Sequence, residues 1–416
     1  MCIRDSYYTI KQLWSPVQIM NTSIDKQFDG KFSVENRYDF LNLNTCRFLW
    51  KQVKFPTATD ASNTTAQVLK QGEVQGSDVA AHSAGVLDIK TTILPDADAL
   101  FLTAIDRYGH ELWRWTFPVN KLNQANEVLS PLSNKVTSTE TENELTVKAK
   151  NHTFIFSKKD GQLKGVSVNN RKISFANGPR FIGARRADRS LDQFYNHDDE
   201  KAKEKDRTYS EFPDAAVFTK LDVKEDGGNL IVTADYKLGN LDKVQWTINP
   251  NGEAVLDYTY NFSGVVDLMG ICFDYPEDQV ISKRWLGAGP YRVWQNRIHG
   301  TQYDVWENDY NDPIPGETFT YPEFKGYFGD VSWMNIQTKE GTISLTNEAP
   351  DAYIGVYQPR DGRDRLLYTL PESGISVLNV IPPVRNKVNS TDLCGPSSQP
   401  KWVNGPQTGR VIFRFM

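Results

Sequence analysis

Side chains that could act as acids or bases are spread along this sequence without a recognisable catalytic spacing. Acidic pairs such as Asp198 with Asp199, or Asp304 with Glu307, could be considered as an acid and a base. Two carboxylates can divide general acid and general base work between them, but only when the fold brings them together at a substrate. Charged side chains lie mostly on the solvated surface of a protein. We therefore interpret both pairs as surface residues.

Cysteine and histidine are equally dispersed. The four Cys stand at positions 2, 46, 272 and 394, with no Cys-x-x-Cys pair, and the five His are scattered along the chain. Zinc sites and disulfide frameworks have characteristic close spacings that are missing here. The sequence therefore predicts no metal site, no dense disulfide network and no cofactor in this chain.

Aromatic residues are the unusual component, at 12% of the chain with ten Trp and eighteen Tyr. Trp and Tyr join a flat apolar face to a polar tip, which suits both β-sandwich cores and sugar-stacking surfaces. Large aromatic side chains are mostly buried in folded proteins, so we assign most of them to the core. Trp246, Trp306 and Trp333 are predicted core residues.

Charge and hydropathy exclude two classes of partner. The formal net charge is -5 and no strongly basic block occurs, so nucleic acid is not a predicted partner. No apolar run approaches the roughly 18 residues of a membrane span, and the N-terminus lacks the order of a secretion signal. Hydrophobic residues at 39% and charged residues at 24% indicate a globular chain with more than one core.

Short alternating runs broken by turn residues dominate the chain and predict an all-β fold. Turn signals stand at Asp160-Gly161, Asp226-Gly227 and Asn251-Gly252, each between runs of alternating polarity. Asp-Gly and Asn-Gly favour hairpins because tight hairpin turns require positive φ. No long segment shows a convincing period of 3.6 residues. The charged stretch 196–207 is predicted to be a solvated loop.

Composition divides the chain into four parts. Residues 1–14 are set apart, because 1–6 resemble a translated adaptor sequence, and we expect the chain to be truncated on its N-terminal side. Residues 15–120 have the usual size of an immunoglobulin-like β-sandwich. Residues 121–142 are polar and form the predicted linker. Residues 143–416 are predicted to form one large β-sandwich of two big sheets.

Two segments carry a resemblance to a known family. Residues 36–43 read Asn-Arg-Tyr-Asp-Phe-Leu-Asn-Leu, and residues 7–19 precede them as Tyr-Tyr-Thr-Ile-Lys-Gln-Leu-Trp-Ser-Pro-Val-Gln-Ile. They resemble glycoside hydrolase family 2 of the β-galactosidase type, at the exit from its catalytic barrel and the opening of the next, immunoglobulin-like domain. Residues 1–14 would then hold the adaptor-like sequence and a remnant of the barrel exit.

The large sandwich resembles the last β-domain of the same family, a galactose-mutarotase-like β-supersandwich. Residues 285–297 are similar to the family's Gly-x-Gly-Pro-x-x-x-Tyr-x-Asp-Arg segment, with Trp294 in place of Tyr and Asn296 in place of Asp. Residues 186–188 match a second family loop only in part. The resemblance makes Tyr291, Trp294, Asn296 and Arg297 candidate sugar-binding residues. The alternative is structural: a Gly-Pro turn followed by packed aromatics.

Trp402 is the first candidate for a sugar contact. It follows Cys394-Gly395-Pro396, close to the C-terminus. In the family, a Gly-rich loop ending in Ser-Trp reaches back to the active site, and its Trp forms a stacking platform for the sugar. Here the preceding Gly-Gly-Asp-Asp-Ser run is replaced by residues 397–401. The alternative is a core or interdomain Trp.

The resemblance implies part of a retaining glycosidase. Such enzymes use two carboxylates about 5 Å apart, which the family places in a (β/α)₈ barrel of about 250 residues. No such barrel can be recognised in this sequence, so we predict no catalytic residue and no activity of the chain alone. Its predicted role is to support the barrel of its parent chain and to supply one wall of the pocket that binds a terminal β-galactoside or related glycan.

Other interpretations remain open. One is a free-standing carbohydrate-binding or interaction module of β-sandwiches. Another is a self-sufficient enzyme, since related sandwich folds include sugar epimerases, although that would require a convergent His and Glu pair. The departures at Trp294 and Asn296 leave the sugar undetermined. For the parent enzyme, a periplasmic or extracellular location is expected.

Overall fold

A computed structural model describes residues 3–60, 65–119, 135–186, 209–212, 214–308, 326–349, 351–356, 371–383 and 395–416. Strands dominate these ranges, and α1 (Ile3–Leu13) is the one α-helix among them. The helix is not among the predicted elements, because its first turn falls in the residues set aside as adaptor-like. No helix in the described ranges has the length and apolar character needed to cross a membrane.

The chain divides into two compact units. The first comprises Met1–Gln124, Leu286–Tyr291 and Ile298–Trp306, and the second comprises the rest. The sequence does not predict that the two downstream segments belong to the first unit. The predicted domain ranges stay a prediction. Most of the predicted linker 121–142 lies outside the described residues, but Thr137–Glu140 form a strand. The predicted loop 196–207 lies wholly outside them.

Two antiparallel sheets build the first unit. Their strands are β1 (Val17–Ile19), β2 (Lys31–Asn36), β3 (Arg47–Lys54), β4 (Gln67–Gln75), β5 (Ser83–Asp88), β6 (Ala99–Ile105) and β7 (Glu111–Pro118). One sheet has the order β1-β2-β5 and the other β4-β3-β6-β7. Phe32, Phe48 and Leu102 lie fully buried in the core of this unit.

Asn36, the first residue of the Asn-Arg-Tyr motif, is buried in this unit and its side chain makes three hydrogen bonds. Its Nδ2 donates to the carbonyl oxygens of Leu41 and Val79 at 2.9 Å each, and its Oδ1 accepts from the Tyr38 amide at 3.0 Å. A buried amide is stable only when its donors and acceptor are paired. The motif therefore joins two loops of the sandwich through one side chain.

The remaining strands form two large sheets. Their bounds are β8 (Thr137–Glu140), β9 (Glu144–Ala149), β10 (His152–Ser157), β11 (Leu163–Val168), β12 (Arg171–Ile173), β13 (Ala176–Arg186), β14 (Tyr209–Glu211), β15 (Val217–Asp226), β16 (Asn229–Lys237), β17 (Leu241–Ile248), β18 (Ala254–Val266), β19 (Leu268–Asp274), β20 (Val280–Gly289), β21 (Gln302–Asn308), β22 (Trp333–Thr338), β23 (Gly341–Asn347), β24 (Tyr353–Gly355), β25 (Ile375–Val380) and β26 (Lys401–Phe415). The ten-stranded sheet has the order β24-β25-β19-β13-β11-β10-β9-β8, with β12 on β11 and β14 on β13. The nine-stranded sheet has the order β15-β16-β17-β18-β26-β23-β22-β20-β21.

The three predicted hairpin turns are confirmed. Asp160-Gly161 lies between β10 and β11, Asp226-Gly227 between β15 and β16, and Asn251-Gly252 between β17 and β18. In the β15–β16 turn, Gly227 and Gly228 have φ of 57° and 94°, the left-handed region in which glycine is favoured.

Aromatic side chains from both large sheets fill the space between them. Phe175 stacks on Phe273 of β19 with ring centroids 4.5 Å apart, and lies 5.1 Å from Phe413 of β26. Trp246 of β17 lies 6.0 Å from both of these Phe rings. The predicted fold class, a smaller β-sandwich followed by a large one, is therefore confirmed.

The three Trp predicted as core residues differ in burial. Trp246 and Trp333 are buried, at 1% and 0% exposure, as predicted. Trp306 is only partly buried. Its indole nitrogen donates to the carbonyl oxygens of Gly287 and Gln302 at 3.1 Å each, and a tip that keeps polar partners need not enter the core.

The Phe175→Ala substitution tests the aromatic core. It removes a fully buried ring, and we expect the free energy of unfolding to fall by about 3–5 kcal/mol. Phe40→Ala is the matched control, because it removes the same side chain from a position that is 95% exposed. Urea unfolding followed by near-ultraviolet circular dichroism measures both. Equal shifts of the two midpoints would contradict the assigned core.

A charged pair links β13 to β19 in the ten-stranded sheet. Arg180 donates to Asp274 at 2.7 Å, and Asn177 Nδ2 donates to the same carboxylate at 2.6 Å. Partial burial by itself raises the pKa of Asp274, but the hydrogen bonds from Arg180 and Asn177 outweigh it, so the net pKa is lowered.

This lowered pKa predicts a pH dependence of stability. A carboxyl group whose pKa is lower in the folded state stabilises the fold above its ordinary pKa, and loses that contribution as the pH falls through the folded-state pKa. Asp274→Asn should therefore be less stable than the wild type at neutral pH, with the difference shrinking as the pH falls below about 4. Urea midpoints at several pH values check this. Asp278→Asn, an exposed position, is the control. A difference that is constant with pH would refute the assignment.

Candidate functional site

A two-residue turn in the second unit carries Gln295 and Asn296 at its tip. The Trp294 amide donates to the Arg297 carbonyl oxygen at 3.3 Å, and the Arg297 amide donates back to Trp294 at 2.8 Å. The reciprocal bonds close the chain on itself over four residues, as in a tight β-turn. Three of the five predicted sugar-binding residues therefore lie on this turn.

The tip of the turn is bonded to the loop that precedes β26. Asn296 Nδ2 donates to Ser398 Oγ at 3.1 Å, and Gln295 Nε2 donates to the Gln399 carbonyl oxygen at 2.7 Å. The Gln295 amide also donates to the Pro382 carbonyl oxygen at 3.2 Å. Hydrogen bonds between residues some hundred positions apart in sequence thus hold the loop and the turn together.

The loop itself is a compact single turn. Pro396–Ser398 form a 3₁₀ turn, with the Ser398 amide donating to Gly395 at 3.1 Å and the Gln399 amide to Pro396 at 3.1 Å. Gly395 has a φ of 87°, which a residue with a side chain adopts only with strain. Cys394 lies outside the described residues. The turn delivers the chain directly into β26, whose second residue is Trp402.

The side chain of Trp402 is exposed to solvent. It pairs in register with Val265 of β18, and its side chain is 71% exposed. All ten Trp lie in the described ranges, and Trp14 is the only other one that is exposed. An exposed indole offers a flat apolar surface for stacking, and its position here is fixed by the strand that carries it.

Trp294 lies in the core. It is 1% exposed and meets Tyr327 edge-on, with ring centroids 5.5 Å apart. Its indole N–H has no hydrogen-bond partner among the described residues. The ring belongs to the same buried cluster as Ile182 and Leu268, and it thus anchors the turn to the interior. A direct sugar contact for Trp294 stays a prediction.

Tyr291 and Arg297 both make contacts within the described part of the protein. Tyr291 belongs to the first unit, where its hydroxyl donates to the His299 carbonyl oxygen at 3.3 Å and its ring lies 5.9 Å from that of Tyr8. Arg297 closes the turn through its backbone and is partly buried. Their predicted sugar contacts stay predictions.

The turn and the loop present hydrogen-bonding and aromatic groups. Residues 292–297 and 395–402 contain amides, hydroxyls, indoles and three cationic side chains, with no carboxylate or imidazole. General acid–base work requires a group that can exchange a proton near neutral pH, and these segments hold none. Across the described part of the chain, no three His, Cys, Asp or Glu side chains are grouped so that they could hold a metal ion.

Gln295, Ser398 and Gln399 position the site but were not selected from the sequence. Ser398 and Gln399 fall in the run where the family's Gly-rich loop is replaced, so the sequence marks them only as departures from that pattern. A Ser or Gln gives no local signal of a partner so distant in sequence. The hydrogen bonds of Asn296 and Gln295 to this loop are visible only in the folded chain.

Comparison with solved structures finds distant similarities. Galactose 1-epimerase from Lactobacillus acidophilus NCFM is 10% identical, with 69% of this chain and 99% of that chain covered and a TM-score of 0.35. A protein described as a mutarotase, YeaD from Salmonella typhimurium, is 9% identical, with coverages of 70% and 97% and a TM-score of 0.33. These similarities are too distant to carry an argument about this chain. No curated protein matches the sequence.

A protein-family model gives the stronger result. The model described as beta galactosidase small chain matches residues 148–381. The match begins in β9 and ends just after β25, so it spans most of the large sandwich and includes the turn that bears Asn296. It covers more than half of the 416 residues, and the chain therefore belongs to the beta galactosidase small chain family.

Proposed function

We propose that this chain is the non-catalytic C-terminal part of a family 2 glycoside hydrolase of the β-galactosidase type. Its large sandwich supplies one wall of the pocket that binds a terminal β-galactoside or a related glycan. Membership of the beta galactosidase small chain family supports the enzyme class. The observation that carries the proposed wall is the exposure of Trp402, at 71%, at the start of a long paired strand.

Trp402 would act by stacking. The face of an indole carries a negative π-cloud, which attracts the polarised C–H groups on one face of a pyranose ring. The ring also excludes water from that side of the sugar. Its strand is paired along its length with β18, so little conformational freedom is lost when a sugar binds. A sugar fixed in this way reaches the reacting groups in a productive orientation.

The turn and the loop would act as positioning elements. Asn296 and Gln295 hold the loop that leads into Trp402, and buried Trp294 supports the turn. In this proposal Asn296 contributes through Ser398 and not by touching the sugar. The two carboxylates of a retaining mechanism, about 5 Å apart, would come from a catalytic barrel outside this sequence.

The first test is activity with and without a barrel. We expect the 416-residue chain alone to show no turnover of chromogenic β-galactosides, because its candidate site holds no carboxylate. Joined to the barrel half of a family 2 enzyme, it should restore turnover to a half that is inactive alone. Turnover by the chain alone would overturn the proposal. Sugar binding without restored turnover would favour a free-standing carbohydrate-binding module.

The second test is Trp402→Ala in the joined enzyme. Loss of the stacking surface should lower kcat/KM by roughly tenfold to a hundredfold, since misplacement of a substrate by about 1 Å has effects of this size. Tyr108→Ala is the matched control, because it removes another exposed ring, 69% accessible, from the first unit. Equal kcat/KM for the Trp402 variant and this control would exclude Trp402 from the pocket wall.

A further inference from the structure

We propose that Asn404 and Ser263 form a hydroxyl-binding pair beside Trp402. Together, the three side chains would recognise a pyranoside through one aromatic ring and one oriented amide. This inference rests on the proposed role of Trp402 and extends it, because a ring surface alone does not distinguish one sugar hydroxyl from another. Discrimination between sugar hydroxyl groups would then take place on the solvent-facing side of the β18–β26 strand pair.

The strand register puts the three side chains on one face. Asn404 stands directly opposite Ser263, and Trp402 opposite Val265. Side chains two residues apart in a strand point to the same side, about 6.6 Å from each other. Trp402, Asn404 and Ser263 are all exposed. A pyranose ring stacked on the indole would therefore extend its hydroxyl groups towards the amide.

The amide of Asn404 is held in one orientation. Ser263 Oγ donates to Asn404 Oδ1 at 2.7 Å, which occupies the amide oxygen and the hydroxyl proton. Two N–H donors on Nδ2 and the lone pairs of Ser263 Oγ remain available. No other hydrogen bond joins these two side chains to the described part of the chain. A single sugar hydroxyl could accept from Nδ2 and donate to Ser263 Oγ.

Two polar residues further along the same strand pair, Asn261 and Arg410, already have protein partners. The guanidinium nitrogens of Arg410 lie 3.7 Å from a carboxylate oxygen of Asp257 and 3.5 Å from one of Glu348. Asn261 Nδ2 donates to Asp242. Donors that are paired within the protein have less to gain from a ligand. The open donors beside Trp402 are those of Asn404.

The backbone at this point is also unusual for a strand interior. Gly264 follows Ser263 with a φ of 150°, and Gly405 follows Asn404 with a φ of 97°. Both values lie where residues with side chains are strained, so both positions require glycine. Glycine inside a strand often marks a bulge or the close approach of a ligand.

The experiment measures sugar binding to the intact chain. The ligands are methyl β-D-galactopyranoside and its monodeoxy analogues, and calorimetric titration gives each Kd. Asn404→Ala removes both N–H donors without adding a charge, and Ser263→Ala removes the hydroxyl. Each should weaken galactoside binding about fivefold, the effect of one hydrogen bond. Thr408→Ala, an exposed position on the same face of β26, is the matched control and should bind as the wild type does.

The analogues supply a readout that a loss of folding would not produce. At least one monodeoxy analogue should bind the wild type more weakly than the parent galactoside does. Asn404→Ala should discriminate less between that analogue and the parent than the wild type does, because one of the two partners of the hydroxyl is then missing.

The outcomes separate this inference from the proposed function. If Trp402→Ala abolishes binding while the Asn404 and Ser263 variants bind as the wild type does, the hydroxyl-binding pair is excluded and the Trp402 platform stands. If Trp402→Ala binds normally, or the wild type binds none of these sugars, both the platform and the pair are overturned for this chain.

Discussion

The antiparallel pairing of β18 with β26 is the interaction on which the candidate site depends. It runs over thirteen residue pairs, from Ala254 opposite Phe413 to Val266 opposite Lys401. At one end β26 contributes Phe413 to the aromatic core, and at the other it carries the exposed Trp402. Because side chains alternate between faces, a slip of one residue would turn Trp402 away from its present side and remove Phe413 from the core. Core packing therefore sets the direction of the indole.

The second constraint is the bonding of the 294–297 turn to the loop before β26. These contacts use neutral amides and a hydroxyl, and they join the loop to the turn. Neutral hydrogen bonds can hold two segments together without the desolvation cost that a buried charge would carry.

This division of labour agrees with a supporting role for the chain. The segments that surround the candidate site hold no proton-transfer group, whereas a glycosidase must place two carboxylates on opposite sides of the scissile bond. Binding contacts remote from the reacting atoms still lower a reaction barrier when they orient the substrate. In the proposed function, Trp402 on the large sandwich would supply such a contact.

The sequence by itself determined the all-β class, the three hairpin turns and the buried Trp246 and Trp333, because alternating polarity and Asp-Gly or Asn-Gly turns act over a few residues. It also singled out Trp402, through a resemblance in the last residues of the chain. Only the tertiary structure decided that Trp294 is buried and Trp402 is exposed, since burial depends on which distant strands cover a ring. In the same way, the partner of Asn296 is Ser398, and that of Asn404 is Ser263. These side chains are far apart in sequence, and strand pairing and loop contacts bring them within hydrogen-bonding distance.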